Sequence, residues 1–407
     1  MKTLATFLAF AAALPSLWAE RPPRADFSRM VVAGDSLSAG FQNFSLFSGA
    51  SPGAPNGGQE HGFAKLVADQ AGAALAQPLI SYPGIPPALE LGPGGQIIRS
   101  PLAPGMRIPP FVQPMNVSVP GFTIGDALLH AFPGNPFVNP IDALAATIFS
   151  GNPVPACGPI PTAAIPPPIR ALTPSLDPAT PFVVSQTLCA AALNPTLVLA
   201  SIGNNDALGS LTLGLPPTPP VLFAIQYAAF LAAMKSTGAD IVVGNVPDVT
   251  VAPFLIPAPA YAQLCGSIPP GATPADFIVP DINAPTFNIC TNYQIRTAAL
   301  IASARLAVAA YNRIIDFEAR RAGATVVDVN KLLDKIDRVG YRLGRRRLTT
   351  EPLGGIFSLD FVHPTNTGYA ILANEYIDTI NKSLKTRIPL VSVEDVAAAD
   401  PLVGLAP

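Results

Sequence analysis

The sequence predicts a three-layer α/β/α sandwich with a central parallel sheet, and three observations carry that expectation. Short apolar runs rich in Val and Ile alternate with longer segments of helical periodicity, the pattern of strands buried on both faces between crossover helices. Polar turn residues gather after the strand ends. The composition, 49% hydrophobic and only 12% charged over 407 residues, excludes a solvated disordered chain and provides for a large core.

In chain order, the strand candidates are Arg29–Gly34, Met115–Val119, Thr196–Gly203, Asp240–Val246 and Ala324–Asn330. The helical patterns fall at His61–Ala76, Ile124–Phe132, Val221–Lys235, Tyr293–Ala322 and Thr367–Leu384. Most of the 48 prolines lie between these elements, in Tyr82–Pro114, Phe132–Leu188, Leu213–Pro220 and Ala252–Pro285. With φ locked and few helix formers, these are expected to be long loops covering the carboxyl ends of the strands. The organisation read is a leader at 1–19, one domain at 20–385 and a tail at 386–407 that lacks strong periodicity.

Lys2, the apolar stretch Leu4–Ala13 and the small residue Ala19 have the form of a secretory signal peptide, and Pro15 interrupts the run before it could span a bilayer. Four widely spaced cysteines agree with an oxidising compartment. Of their three pairings, Cys157 with Cys189 and Cys265 with Cys290 is preferred, because each pair brackets one Pro-rich segment. Each closure would contribute about 3 to 4 kcal/mol in the chain-entropy model. No CxxC spacing points to a thiolate metal site. The formal charge of -2 supplies no basic field for nucleic acid. Arg342 and Arg345-Arg346-Arg347 form the one cationic cluster, read as a solvated loop with transient contact to an anionic lipid surface as the lesser alternative. Nothing in the sequence sets an oligomeric state.

Three constellations carry chemistry. Gly34-Asp35-Ser36-Leu37-Ser38 follows the first strand, where a tight turn would expose a serine at the sheet's edge, although Ser38 stands where the usual G-x-S-x-G elbow has glycine. Gly203-Asn204-Asn205-Asp206 closes the third strand and offers amides that could donate to a developing oxyanion, or simply close an Asx turn. Asp360 precedes His363 by three residues, so one turn lets the carboxylate accept from one ring nitrogen and leaves the other for a serine. Metal ligation by the same pair would need more ligands, for which Asp35 and Asp206 are the obvious candidates. His61 and His130 read as surface or packing residues.

These blocks, with Asn116-Val117-Ser118-Val119-Pro120-Gly121 at the second strand, resemble the SGNH (GDSL-type) serine hydrolase family in their order along residues 29–385. Gly244-Asn245-Val246-Pro247-Asp248 and Tyr311-Asn312 extend the resemblance. It implies a flavodoxin-like sheet, Ser36 as nucleophile, His363 as general base and acid, and Asp360 orienting the imidazole. The backbone N–H groups of Ser36 and Gly121 and the side-chain amide of Asn205 would form the oxyanion hole. The family's spacing selects Asn205 over its neighbour Asn204. The expectation is an exported carboxyl-ester hydrolase of the esterase/lipase type that works through an acyl-serine intermediate and needs no cofactor. Low charge and apolar coverings favour lipid-type acyl esters. The alternatives are a carbohydrate acetylesterase, which would call for aromatic platforms, and a non-catalytic exported lipid-binding protein.

Overall fold

The computed structural model describes residues 25–49, 57–132, 139–177, 179–281, 284 and 288–405; the leader read at 1–19 lies outside them. Four parallel strands form the central sheet, β1 (Met30–Gly34), β2 (Leu197–Ser201), β3 (Asp240–Gly244) and β4 (Thr325–Val327), adjacent in that order. The segment Met115–Val119, expected as a full strand, runs along the free side of β1. The Val32 N–H donates to the Met115 carbonyl (2.8 Å), Val117 N–H to Val32 (2.9 Å) and Val119 N–H to Gly34 (3.0 Å). Only Val32 and Asn116 form a regular parallel bridge there. There the Gln186 amide donates to both the Gly34 carbonyl (2.8 Å) and the Val117 carbonyl (2.9 Å), and the Asn116 side-chain oxygen accepts from Ser118 N–H at 3.1 Å. The spatial order, with the later edge segment outside β1 and β2 inside it, creates a topological switch point between β1 and β2.

The helices that bear on this sheet are α1 (Ser36–Ala39), α2 (Phe63–Ala71), α3 (Ile124–Leu128), α4 (Pro140–Phe149), α5 (Asn205–Thr212), α6 (Pro220–Lys235), α7 (Ala298–Ala322), α8 (Val329–Val339) and α9 (Asn366–Ser383). Alternation along the strands assigns the layers. Val31, Ala33, Val198, Ala200 and Val243 join one core with Ile124 of α3, Phe223 and Tyr227 of α6, and Val308 and Tyr311 of α7. Met30, Val32, Leu197, Leu199 and Val242 join the other with Phe63 and Val67 of α2 and Tyr369 and Tyr376 of α9. Burying each such large apolar side chain contributes about 1.5 to 3 kcal/mol.

Three expected elements divide differently. Ile124–Phe132 is helix only to Leu128, after which His130–Ala131 pairs antiparallel with Val183–Val184. Tyr293–Ala322 is not one helix: Tyr293–Arg296 pairs antiparallel with Phe277–Pro280, and Thr297 then caps α7 by accepting from Leu300 N–H at 3.3 Å. The run Ala324–Asn330 stops being strand at Val327, where Asp328 caps α8 by accepting from Lys331 N–H at 3.1 Å. The Pro-rich segments also hold more structure than their composition predicts. α4 starts with Asn139 as cap and Pro140 in its first turn, and further helices occupy Gln186–Ala192 and Ala258–Cys265. Disulfides join Cys157 to Cys189 and Cys265 to Cys290. The final segment packs against α9: Asp400 accepts from the N–H and hydroxyl of Thr367, each at 2.9 Å, and Val393, Ala397 and Val403 are buried.

His130 ties α4, within the Pro-rich segment Phe132–Leu188, to α3. Its Nδ1 lies 3.0 Å from Asp126 and its Nε2 3.1 Å from Asp142 of α4, while its ring leans on Phe122 at 4.7 Å between centroids. This clamp fixes α4 so that Ile141 abuts Gly121, where an added Cβ would fall 2.6 Å from the isoleucine. Burial alone would lower the imidazole pKa, but the hydrogen bonds and charges of Asp126 and Asp142 outweigh it and raise the value above the ordinary 6.5. The native state therefore holds the proton more tightly than the unfolded chain, and the clamp's contribution is complete below the ordinary value and fades as pH rises through the folded one. His130→Gln is expected to cost about 1 to 3 kcal/mol at pH 6 and less in alkaline buffer, read as the denaturant midpoint against pH. Removing the 32-residue closure with Cys157→Ala/Cys189→Ala should cost about 3 to 4 kcal/mol in the same assay.

Candidate active site

The turn after β1 can exist only with glycine. Gly34 has φ +155°, and a Cβ there would meet the Ser201 carbonyl at 2.1 Å. Asp35 N–H donates to that same carbonyl (3.0 Å), and the Asp35 side chain caps α1 by accepting from Leu37 N–H (3.2 Å). Ser36 is thereby set at the first position of α1, 4% exposed. Ser38, the departure from the elbow pattern, is buried and donates its hydroxyl to Ser201 at 3.3 Å, so it braces the turn against β2.

At the end of β2 the two amides take different partners. Asn204 donates to the Asp35 carboxylate at 2.8 Å, whereas Asn205, at the start of α5, donates to the Phe122 carbonyl at 2.9 Å. The next side chain, Asp206, accepts from Ile124 N–H at 2.9 Å. Asn205 and Asp206 thus hold the loop that carries Gly121, itself at φ +91°. Among the described residues, the backbone N–H groups of Ser36 and Gly121 donate to no protein acceptor. Burial pushes the carboxyls of Asp35 and Asp206 up to about 7 each, in Asp35 against the opposing hydrogen bonds of Asn204 and Leu37.

Asp360 and His363 form one tight turn with Ser358, whose N–H donates to the His363 carbonyl (2.8 Å). One oxygen of Asp360 accepts from the N–H groups of Val362 (2.9 Å) and His363 (2.8 Å). The other faces His363 Nδ1 at 3.0 Å and accepts from Phe44 N–H at 2.6 Å. Burial would raise this carboxyl, yet the imidazole and the convergent N–H donors outweigh it and hold it below the usual carboxylate range.

Residues that sequence reasoning passed over join the Asp360–His363 turn to the loop that follows α1. The turn Gln42–Ser45 places Asn43 and Phe44 at φ +52° and +57°, and Asn43 both donates to Ser358 Oγ (3.1 Å) and accepts from Leu359 N–H (3.1 Å). Such left-handed residues cost about 1 to 3 kcal/mol each and persist where their surroundings over-determine them. Phe41 N–H donates to the Ser36 carbonyl at 3.0 Å, and the Phe41 ring meets the His363 ring edge-on at 4.8 Å between centroids. Tyr369 of α9 fixes Phe41 by donating to its carbonyl at 2.6 Å. Polar residues at 41–45 were the available signal, but they carry no motif.

Ser36, Asn204 and His363 line a single cleft of about 830 Å³ including its open mouth. Gly121 and Asn205 do not line it; Asn205 is bonded to the carbonyl of Phe122, the residue after Gly121. The rest of the wall is almost wholly apolar, with Val329, Leu332, Leu333 and Ile336 from α8 opposite Ile371 and Leu372 from α9. The α8 residues repeat at i, i+3, i+4 and i+7, one helical face, but its first member, Val329, reads as the end of the strand candidate Ala324–Asn330. The insertions reach the site's margins: Ala252 lines the cleft, Ile141 abuts Gly121, and Leu89 packs with Phe44 and Leu359.

Solved structures with a similar chain course include an alpha/beta hydrolase enzyme from the metagenome of Lake Arreo, Spain, at 14% identity and TM-score 0.36, covering 89% of this chain and 98% of that one. A mutant acetyl-xylooligosaccharide esterase from Geobacillus Stearmophilus aligns at 12% identity and TM-score 0.35 over 88% and 94% of the two chains. A GDSL-like lipase from Parabacteroides merdae, so described on its structure, aligns at 12% and 0.35 over 88% and 98%. No curated protein matches the sequence significantly. The family model for GDSL-like Lipase/Acylhydrolase matches residues 30–376, a span that takes in the serine turn, both amides and the Asp360–His363 pair, and the chain belongs to that family.

Proposed function

We propose that the protein is an exported carboxyl-ester hydrolase that acts on lipid-type acyl esters through an acyl-serine intermediate. The observation that carries this reading is one apolar cleft walled by Ser36 and by a histidine whose Nδ1 is held by a buried carboxylate. His363 Nε2 takes the proton as Ser36 Oγ attacks the ester carbon, and returns it to the departing alcohol. Asp360 remains ionised, keeps the ring in the tautomer with its proton on Nδ1, and stabilises the imidazolium. The oxyanion is received by the uncommitted N–H groups of Ser36 and Gly121 and by the second N–H of the Asn205 amide, whose first is spent on Phe122. Water, activated by His363, then releases the acid.

Family membership supports ester hydrolysis, and the cleft supports the substrate class. A wall formed by Val329, Leu332, Leu333, Ile336, Ile371 and Leu372 provides apolar burial along an acyl chain but few polar partners for a sugar. Two disulfides support an oxidising compartment.

Hydrolysis of a p-nitrophenyl acyl series should rise in kcat/KM from acetyl toward medium and long chains. Ser36→Ala and His363→Ala should each lower kcat by roughly 10⁴-fold or more while the thermal midpoint stays near wild type. Leu333→Trp, which fills the cleft, should move the optimum to shorter chains. Activity confined to acetyl esters would contradict the lipid reading, and full activity in Ser36→Ala would contradict the mechanism.

A further inference from the structure

The cleft's far helix ends in a cationic notch that the reaction does not use. After Val339 the chain forms a two-stranded hairpin, Tyr341–Leu343 against Arg346–Leu348. Its arginines Arg342, Arg345, Arg346 and Arg347, four of the chain's 24 basic residues, close the notch with Lys335 of α8. Arg342 and Arg347 sit directly opposite each other across the strands, an arrangement in which like charges oppose folding. Four other surface arginines do meet carboxylates: Arg305 with Asp248, Arg320 with Asp316, Arg321 with Glu318, Arg338 with Asp334. Among the described residues, the five cations of the notch form no ion pair. Arg347 is nonetheless positioned, because its side chain lies across Gly340, where a Cβ would fall 2.6 Å from Nε.

We propose that this hairpin docks on an anionic lipid surface, with the headgroup phosphates seated among Lys335, Arg342, Arg345, Arg346 and Arg347. Guanidinium forks match phosphate oxygens, and a surface of such groups relieves the cross-strand repulsion that the isolated hairpin carries. Val339, which lines the notch and is 54% exposed, favours lipid over nucleic acid, since it offers apolar contact beside the headgroups. α8 has 11 residues and so runs about 16 Å. One side of it lines the cleft through Leu332, Leu333 and Ile336, and its last turn reaches the notch, so docking would bring the cleft within a helix length of the ester-bearing surface. The purpose of docking rests on the hydrolase reading; the docking itself does not.

The test is co-sedimentation of the Ser36→Ala chain with vesicles, so that no turnover is needed and a failure here is distinct from a failure of hydrolysis. Each basic residue near an anionic surface is worth about five-fold in partitioning, so vesicles with about 30 mol % phosphatidylglycerol should bind at least about ten-fold more tightly than pure phosphatidylcholine, and high salt should erase the difference. Adding Arg345→Glu/Arg347→Glu should reduce binding to the phosphatidylcholine level, and Arg345→Lys/Arg347→Lys should restore it, with thermal midpoints verifying that each variant folds. Equal binding to both vesicle types, or undiminished binding by the Glu variant, would overturn the proposal. So would binding of inorganic phosphate or duplex DNA with the same arginine dependence but no preference for anionic vesicles.

Discussion

The buried carboxylate of Asp360 is the constraint on which the site depends. A charge removed from water is tolerable only when its lone pairs are met, and here four N–H groups meet them: two from its own turn, one from Phe44 and one from the imidazole. Three of those bonds form the turn, and the fourth joins residues more than three hundred positions apart. The same carboxylate that orients His363 therefore also docks the C-terminal turn onto the loop after α1. Phe41 completes the link, with its amide on Ser36 and its ring on His363. Losing the Asp360 charge would affect both the tautomer of the ring and the seam between the C-terminal turn and the loop after α1.

Around that seam the fold assigns separate tasks to adjacent residues. Asn204 secures Asp35 beneath the serine turn, while Asn205 and Asp206 secure the Gly121 loop. Ser38 takes a bond to β2 where the elbow pattern has glycine. The insertions, although rich in proline, brace the site's margins, α4 through the His130 clamp and the first insertion through Leu89. In this arrangement Ser36, Asn204, Asp248 and His363 are the polar members of an otherwise apolar cleft wall.

Much of this was legible in the sequence because it depends on short-range patterns. Apolar runs gave β1, β2 and β3, and helical periodicity gave α6 and α9, each within a few residues. The serine turn, the paired amides and the Asp360–His363 spacing stood out as local blocks. What could not be read depends on long-range packing or on caps. Asp328 converts the end of an apparent strand into α8, and Thr297 separates a strand from α7. Helix α4 sat inside, and Gln186–Ala192 began at the end of, a segment whose proline content argued for loop. The seam through Phe41, Asn43 and Phe44 has no motif at all, because its residues act through backbone amides and left-handed turns that only the folded chain displays.

The central claim is that His363, held by Asp360, makes the Ser36 hydroxyl nucleophilic. The most direct measurement is peptide mass spectrometry of the intact chain after exposure to a fluorophosphonate ester, which is captured only by an activated serine. A single phosphonyl adduct is expected on the peptide containing Ser36, lost when His363 is replaced by alanine. An unlabelled Ser36, or labelling unchanged without His363, would contradict that claim.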